Sequence, residues 1–443
     1  MYKKILLVGS TSFVNEIKQM LLGFLLEADA AYKYAEIESK LKSKKFDIAV
    51  INQDSYIDNI SLFWKVLEII KRSKIPSIIF SVKKNLKFVE LSKKYGILDY
   101  CFKPCSRREL ALRIYAIFNK KIRITCIGGG SGLFNLLLGI KTIPQSLITS
   151  VVSTTDDGGS SGRIRASFGV LPPGDIRRNL VALSNAPVIM NELMQYRFDK
   201  GGGLNGHSLG NLLLTALTNI KSSMPEAVSA LSELLNLNGI VYPVADEEAV
   251  LYALIENGKI IKGESNIDSC RGRARNLRIK KIWHNPQVPC DANAYSAIIN
   301  ADFITIGPGD LFTSIITNLI IKDIRKAVVN TKAKKIYICN LMTKPGETSN
   351  YNSLNHIEEI IKYLGGDYLD YILLADNSKL PKKELVRYAQ KDQYPVDIGN
   401  LKKISNITKA KVIVADLSSK IDLIQHDSMK IRDEINDIIE RRV

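Results

Sequence analysis

Residues 126–133 read CIGGGSGL and residues 153–163 read STTDDGGSSGR, and each glycine-rich loop follows an apolar run, 122–127 and 147–152. A short apolar run closed by glycine is typical of a buried strand of a parallel sheet. We therefore expect both loops at the carboxyl ends of neighbouring strands in a doubly wound α/β domain, where ligands bind. One loop offers bare backbone N–H groups, and the other offers carboxylates, hydroxyls and an arginine. Together they suit a phosphorylated ligand and its metal.

The first loop needs its glycines because phosphate oxygens approach a backbone closely only where no Cβ intervenes. The helix that follows would add free N–H groups and a positive dipole end. Leu133 stands where the third glycine of a dinucleotide fingerprint belongs, and no Lys-Ser/Thr pair of a Walker loop follows. A tight turn between strand and helix explains the loop equally well.

The second loop carries more chemistry. Asp156 and Asp157 are adjacent carboxylates held by glycines, which suits a hard divalent cation. Ser160, Ser161 and Arg163 suit a phosphate group. The alternative is an acidic turn that faces solvent.

Three further segments add candidate residues. Asp175 opens a helix in the sequence PPGDIRRN, where it is either an N-cap or a further carboxylate on a metal. His207, Ser208 and Asn211 open another helix on neighbouring faces, so that two or three of them can address one ligand; an ordinary core or capping histidine is the alternative. Residues 306–314 repeat the theme of strand, glycine loop and helix as a second anion cradle.

The first 120 residues alternate strand and helix patterns. Strands are predicted at 4–8, 47–51, 77–81 and 99–102, and helices at about 14–28, 34–44, 59–73, 86–95 and 106–119. From residue 121 the pattern is α/β, with a mostly helical insert over 174–235 and strands at 239–244, 259–262, 303–306, 336–341, 371–375 and 411–415. The boundary near residues 119–121 has no Pro/Gly/Ser linker, so we predict one domain over 1–120 and a second over 121–443.

Length, order and the closing Phe-Lys-Pro of the first domain resemble the receiver domain of two-component signalling. The acidic pair of a receiver is replaced by residues 9–10, Gly-Ser, and the phosphoacceptor position by Asn52. Lys103 and Ser81 keep the receiver's lysine and hydroxyl positions, while Asp54 is expected in the loop beyond the third strand. We predict a pseudo-receiver that docks or senses without being phosphorylated; an unrelated flavodoxin-like domain is the alternative.

Composition narrows the class of protein. The 443 residues are 46% hydrophobic, and no run approaches the roughly 18 apolar residues of a membrane span. No signal peptide is visible at the first residues, and six cysteines without metal spacing favour reduced thiols in the cytoplasm. The net charge of +17 is concentrated in residues 1–121, with 23 Lys+Arg against 12 Asp+Glu. Aromatic residues are not interleaved there, so a solvated basic face is favoured over nucleic-acid binding.

Several motifs in this order resemble the YvcK/CofD-like family, also known as gluconeogenesis factors. The matching segments are GGGSGL, TTDDGGSSGR, PPGDIRRNL, NGHSLGNLL, GESNI, GPGDLFTSII, CNLMTKPGET and the late HD at residues 426–427. The resemblance implies a Rossmann-like core, a cytoplasmic bacterial protein and a role in central carbon use, cell-wall synthesis and cell shape. YvcK-type members bind UDP-sugars, particularly UDP-N-acetylglucosamine. CofD-type members transfer 2-phospho-L-lactate from a nucleotide donor to a deazaflavin with Mg²⁺.

Carried over by position, the resemblance implies two sets of site residues. The metal carboxylates would be Asp156, Asp157 and Asp175. The nucleotide-binding residues would be Gly128, Gly129, Gly130, Ser131, Gly132, Ser160, Ser161, Arg163, His207, Ser208, Asn211, Gly307, Gly309, Thr313 and Tyr388.

This sequence departs from the family pattern in places. Ser131 keeps a hydroxyl in place of threonine, whereas Asp310 puts a charge where the family has serine. Gln425 replaces the arginine that commonly precedes the late HD, which weakens the expected diphosphate contact. The receiver-like domain is an addition, because typical members start near the equivalent of Lys121.

Four functions are consistent with these patterns. The leading one is a UDP-sugar-binding regulator, in which the pseudo-receiver links occupancy to a partner protein. The second is a Mg²⁺-dependent CofD-type transferase, the third a scaffold recruited through the basic N-terminal face, and the most distant a dinucleotide oxidoreductase. We expect no flavin or NAD, no membrane span, a nucleotide-sugar ligand and a homo-oligomer.

Overall fold

A five-stranded parallel sheet forms the first part of the chain. The computed structural model of the protein describes residues 3–43, 45–269, 277–419 and 423–441. The strands of the first sheet are β1 (Lys3–Val8), β2 (Leu26–Ala31), β3 (Ile48–Asn52), β4 (Ser77–Ser81) and β5 (Ile97–Phe102). Their order, β2-β1-β3-β4-β5, is the flavodoxin-like order. The helices between and after them are α1 (Thr11–Leu21), α2 (Tyr34–Ser43), α3 (Ile60–Ser73), α4 (Leu86–Ser92) and α5 (Arg107–Phe118).

A second, seven-stranded parallel sheet follows. Its strands are β6 (Ile122–Gly128), β7 (Ser146–Val152), β8 (Ile240–Pro243), β12 (Phe303–Ile306), β13 (Lys334–Ile338), β14 (Tyr371–Ala375) and β15 (Lys411–Ala415). The order is β15-β14-β13-β12-β6-β7-β8, and every pair is parallel. The strand order reverses between β6 and β12, which is the switch point where a doubly wound sheet opens a crevice. The predicted Rossmann-like fold class is therefore confirmed.

Helices cover both faces of this sheet. They are α6 (Gly130–Ile140), α7 (Gly159–Phe168), α8 (Pro173–Leu183), α9 (Val188–Gln195), α10 (Leu209–Lys221), α11 (Met224–Leu234), α12 (Glu264–Asp268), α13 (Ala292–Ile299), α14 (Thr317–Leu319), α15 (Lys322–Asn330), α16 (Ser353–Leu364), α17 (Lys382–Ala389), α18 (Leu401–Ile407) and α19 (Ser428–Glu440). A π-helical segment, Leu311–Ile316, precedes α14. Helices α8 to α11 make up the helical insert predicted over 174–235.

A small antiparallel sheet with the order β10-β9-β11 lies between the insert and α13. It contains β9 (Val250–Ile255), β10 (Ile260–Lys262) and β11 (Ile279–Asn285). The sequence analysis predicted β10 but missed the other two strands of this sheet, β9 and β11. The helix predicted over 14–28 was also wrong at its end, because α1 stops at Leu21 and the chain then forms β2, the edge strand of the first sheet.

Buried polar contacts join the two sheets. Arg113 of α5 forms an ion pair with Asp99 at 2.7 Å and donates to the Tyr242 hydroxyl of β8. Asn293 of α13 donates to the backbone of Phe102 and accepts from it, at 2.9 and 2.8 Å. These contacts fix the carboxyl half of β5 against the edge of the second sheet. In the described ranges, no helix is long and apolar enough to cross a membrane.

Candidate functional site

The loops that follow β6 and β12 meet at the switch point. A Cβ added to Gly132 would lie 2.7 Å from the Pro308 carbonyl oxygen and 2.8 Å from the Gly309 amide nitrogen. Gly130 has a φ of +65°, in the left-handed region that favours glycine. The two loops can therefore approach each other only because these positions lack side chains.

Three helices begin at this crevice: α6, α7 and α8. The Gly130 N–H donates to the Asp175 carboxylate at 2.8 Å, and α6 and α7 begin after the glycine N-caps Gly129 and Gly158. The first turn of a helix has N–H groups without intrahelical partners and a partial positive charge. The crevice is therefore built to hold an anion.

The crevice has two compartments that share Gly130, Ser131, Asp310 and Ser314. We call the first, of about 480 Å³, the acidic compartment; the residues that line it are Gly130, Ser131, Ser153, Asp156, Gly158, Gly159, Ser160, Ser161, Gly174, Asp175, Arg177, Arg178, Arg197, Asn211, Glu264, Ser265, Asp268, Ser269, Asp310, Thr313 and Ser314. We call the second, of about 330 Å³, the tyrosine compartment; it is lined by Gly129, Gly130, Ser131, Gly132, Asn135, Gly309, Asp310, Ser314, residues 340–344, Tyr388, Gln393, Ile424, Gln425 and His426.

Asp156 and Asp175 face each other across the acidic compartment. Asp156 accepts the Gly158 N–H at 2.9 Å, and Asp175 is 3.3 Å from the guanidinium of Arg178. Burial and the charge of Asp156 raise the pKa of Asp175, and Arg178 offsets part of this rise. The protein thus holds two carboxylates close together without neutralising them fully.

Asp157 performs a different task. Its two carboxylate oxygens accept the N–H groups of Glu264 and Ser265, at 3.1 and 2.7 Å. A Cβ on Gly263 would lie 2.6 Å from the same carboxylate. Asp157 therefore ties the start of α12 to the second glycine loop and is not among the residues that line either compartment.

Glu264 is a cleft residue that the sequence analysis did not single out, although its motif GESNI was noted. Burial, followed by the charge of Asp156, raises its pKa to about 9. In the described part of the chain no hydrogen bond or ion pair engages its carboxyl group. Glu264 is therefore protonated at neutral pH and available to a ligand.

A lysine lies among three carboxylates between the two compartments. The Lys344 ammonium contacts Asp268, lies 2.6 Å from Asp310 and is 3.8 Å from Glu347. Glu347 is 1% exposed and accepts the Thr313 hydroxyl at 2.8 Å and the Phe312 N–H at 3.1 Å. The spacing of these residues in the sequence could not predict the cluster, because its members come from the end of α12 and from two separate loops.

A chain of hydrogen bonds supports the far wall of the acidic compartment. His207 Nδ1 lies 3.0 Å from the Ser160 hydroxyl, which accepts from Asn211 at 3.1 Å; Asn211 in turn accepts from Arg177 at 2.8 Å. Burial, with Arg163 and Arg197 nearby, lowers the pKa of His207 and keeps the imidazole neutral. This chain fixes the orientation of Ser160 and Asn211 toward the compartment.

Most of the predicted residues meet in this crevice. The structure places Gly129, Gly130, Ser131, Gly132, Asp156, Ser160, Ser161, Asp175, Asn211, Gly309, Thr313 and Tyr388 on its lining. Six others, in the described structure, lie behind the lining or beside it: Gly128, Asp157, Arg163, His207, Ser208 and Gly307. Arg163 donates to the Asn205 carbonyl at 2.7 Å, and Ser208 caps α10.

The tyrosine compartment has amides at its rim. Asn135 donates to Gln425 at 3.3 Å, and Asn340 donates to the Gly309 carbonyl at 2.7 Å. Tyr388, half-buried, lies with its hydroxyl 3.5 Å from the Ile424 carbonyl oxygen. The combination of an aromatic ring with amide donors and acceptors suits a planar base.

The donor set of the acidic compartment fits Mg²⁺. Magnesium prefers carboxylate oxygens and is commonly held by one or two of them together with phosphate and water. Asp156 and Asp175 provide such a pair, and burial together with the charge of Asp156 raises the pKa of Asp175. Within the described ranges, Asp156, Asp157 and Asp175 do not bring three ligand atoms within 4.8 Å of one another. The fit is therefore to a cation that shares its coordination with a ligand.

Comparison with known proteins agrees with this geometry. The family model described as 2-phospho-L-lactate transferase CofD matches residues 124–418. The chain belongs to the CofD family. The gluconeogenesis factor of Bacillus subtilis is 39% identical over 325 residues, which cover 72% of this chain and 99% of that protein. The gluconeogenesis factor of Halalkalibacterium halodurans is 37% identical over 319 residues, 71% of this chain and 96% of that protein.

A crystal structure of a UPF0052-family protein from Bacillus halodurans is similar to this CofD-family chain with a TM-score of 0.67 and 36% identity. The match covers 71% of this chain and 99% of that one. The family model begins at residue 124, so the first sheet lies outside it. The predicted family resemblance is confirmed.

Proposed function

We propose that this CofD-family protein is a cytoplasmic regulator that binds a UDP-sugar, with UDP-N-acetylglucosamine as the leading ligand. The observation that carries the proposal is the division of one crevice into two compartments that share the start of α6. A nucleotide sugar has the matching three parts, namely a nucleoside, a diphosphate and a sugar. The names of its relatives, gluconeogenesis factors, support a role in carbon use, which we extend to cell-wall synthesis and cell shape.

Each part of the ligand has a place in this proposal. The diphosphate lies on the glycine loop at Ser131, where helix N–H groups and the helix dipole favour negative charge. The uracil lies against Tyr388 in the tyrosine compartment, and the rim amides satisfy its polar edge. The sugar enters the acidic compartment, where Glu264 and Asn211 offer hydrogen bonds to hydroxyl or amide groups.

In this proposal, the receiver-like part of the chain transmits the binding of ligand in the crevice to a partner protein. Lys84 of that part pairs with Asp246, in the loop after β8, and Glu248 in the same loop pairs with Arg165 of α7. Helix α7 begins at the crevice. A ligand that shifts α7 thus acts on a loop in direct contact with the receiver-like part, which then presents a changed surface.

Calorimetric titration with UDP-N-acetylglucosamine tests the proposal, with UDP-glucose, GDP and GTP as comparators. We expect UDP-selective binding in the micromolar range. Tyr388→Ala should weaken it by about fivefold or more, because stacking on an aromatic ring contributes roughly 1–3 kcal/mol per base. Tyr388→Phe keeps the ring and should keep most of the affinity. Equal affinity in the wild type and Tyr388→Ala would refute the placement of the base.

A Mg²⁺-dependent transferase of the CofD type is the second candidate. Two observations favour it: the description of the matching family model and the carboxylate pair Asp156 and Asp175. When bound, Mg²⁺ would neutralise charge on the donor pyrophosphate; Asp156 and Asp175 would hold it, and Arg178 would orient the transferred phosphoryl group. Binding that requires Mg²⁺ and prefers guanine nucleotides in the same titration would favour this function over the regulator.

A further inference from the structure

The loop after β13 places a lysine at the boundary between the two compartments. The Lys344 N–H donates to the Thr348 hydroxyl at 2.9 Å, which fixes the backbone of the loop. The side chain extends from there to Asp268, Asp310 and Glu347. Three carboxylates thus hold the Lys344 ammonium, and one of them, Asp310, lines both compartments.

The three carboxylates are not equivalent. Glu347 is buried and is fixed by bonds to Thr313 and Phe312. The Asp310 carboxylate has Lys344 as its one partner among the described residues. Burial and the charges of Glu347 and Asp175 raise the pKa of Asp310, so the charged form of Asp310 depends on the Lys344 ammonium 2.6 Å away.

Asp310 also borders the anion cradle directly. It lines both compartments and follows Gly309, whose amide lies against Gly132 of the glycine loop. A phosphate on that loop would lie beside the Asp310 carboxylate, which lines both compartments, whereas Lys344 lines only the tyrosine compartment. Like charges at such separations oppose binding by an amount that salt reduces.

We propose that Asp310 and Lys344 form an ion-pair gate on the anion cradle: Lys344 neutralises the diphosphate of a bound ligand, and Asp310 holds it back while the cradle is empty. The inference rests on the proposed function for the identity of the ligand. A lysine suits this role because its ammonium is a point charge on a flexible four-carbon stem. Lys344 therefore exchanges one anionic partner for another without movement of the backbone.

Two variants of the full-length protein test the gate in a buffer with EDTA. Asp310→Asn keeps the shape and removes the charge, and Lys344→Met keeps the stem and removes the ammonium. The probes are UDP-N-acetylglucosamine and inorganic pyrophosphate, titrated by calorimetry at low and high salt. We expect Asp310→Asn to bind both probes about tenfold more tightly at low salt and Lys344→Met about tenfold more weakly, with smaller differences at high salt.

Asp370→Asn is the matched control. Asp370 pairs with Lys334 at 2.6 Å, the same distance as Asp310 and Lys344, but lies at the amino ends of β13 and β14. It should leave both affinities unchanged. Thermal melts of all three variants show whether a change in affinity reflects a loss of folding.

The outcomes separate the gate from the proposed function. Unchanged or weaker pyrophosphate binding in Asp310→Asn would overturn the gate. Unchanged binding would mean that Asp310 does not oppose the ligand, and weaker binding would mean that it positions the lysine for the ligand. Equal affinities in Lys344→Met and the wild type would overturn it too. Pyrophosphate effects as expected, without any UDP-sugar binding, would uphold the gate and refute the proposed ligand. Failure of both probes to bind any variant would refute both.

Discussion

The two parallel sheets of this protein end in crevices of opposite character. In the first sheet, protein groups at the crevice pair with one another: Asp54 accepts the Val82 N–H at 2.6 Å and the Ser81 hydroxyl at 3.0 Å, and Lys103 pairs with Glu16 at 2.7 Å beside an open cavity of about 1270 Å³. In the second sheet, helix N-termini and partly compensated carboxylates face open compartments. Both sheets have a topology that places ligands at strand ends. The loops alone decide whether charge there is satisfied internally or left for a ligand.

The largest expected difference between the two crevices is the effect on ligand affinity of adding a side chain at a crowded glycine. Gly132→Ala would place a Cβ within 2.8 Å of the backbone of the loop after β12. Gly9→Ala would place one 2.8 Å from the Asn52 Cβ. Overpacking of this kind destabilises by about 1–3 kcal/mol in either place. We expect Gly132→Ala also to remove nucleotide-sugar affinity, while Gly9→Ala leaves it intact. Urea unfolding and calorimetric titration of both variants measure the two effects.

A loss of ligand affinity in Gly9→Ala equal to that in Gly132→Ala would contradict this contrast. It would mean that the crevice of the first sheet takes part in ligand binding, or that a change in a loop of the first sheet disturbs the fold of the second. Retained affinity in Gly132→Ala would instead show that the glycine loop is not part of the anion-binding site.

The sequence predicted those parts of the molecule whose structure is determined by neighbouring residues in the chain. Apolar runs closed by glycine identified the strands beside the switch point, and the loops after them carry most of the crevice lining. Strand β2 was missed because Leu26–Ala31 is an edge strand with alternating acidic residues and no β-branched side chain. Such a segment lacks the apolar run by which buried strands are recognised.

The remaining site residues depend on long-range convergence. Asp157 has the sequence context of a metal ligand, yet its carboxylate binds the start of α12, more than a hundred residues away. Glu264 reaches Asp156, and Asp268 reaches Lys344, only because the small antiparallel sheet brings α12 over the crevice. No spacing in the sequence encodes that meeting, so the protonated glutamate and the lysine cluster became visible only in the fold.

The open crevice should also be distinguished by its response to pH. The pKa of Glu264 is raised from 4.5 to about 9 in the folded protein, so the folded state keeps a proton that the unfolded chain loses. Stability should therefore fall as pH rises from about 4.5 to 9. Glu264→Gln has no proton to lose and should gain in melting temperature over the wild type as pH increases through this window.

Thermal melts at pH 5, 7 and 8.5 measure this difference. Glu264→Met, which also cannot titrate, should show the same pH dependence as Glu264→Gln, whatever its packing penalty. A constant offset between Glu264→Gln and the wild type at all three values would show that Glu264 is ionised in the folded protein.

The smallest effect should come from the crevice of the first sheet, where protein groups pair with one another. Asp54→Asn retains one acceptor oxygen but loses the charge that strengthens the bonds from Val82 and Ser81, which costs about 1 kcal/mol. Asp175→Asn, in the open crevice, removes a buried charge opposite Asp156 and should leave the ligand-free protein as stable or more stable. Mg²⁺ together with pyrophosphate should raise the melting temperature of Asp54→Asn as it does that of the wild type, and should lose this effect in Asp175→Asn. Opposite signs of the two stability changes in urea unfolding would establish that one carboxylate serves the fold and the other a ligand; two equal losses would mean that both crevices are structural.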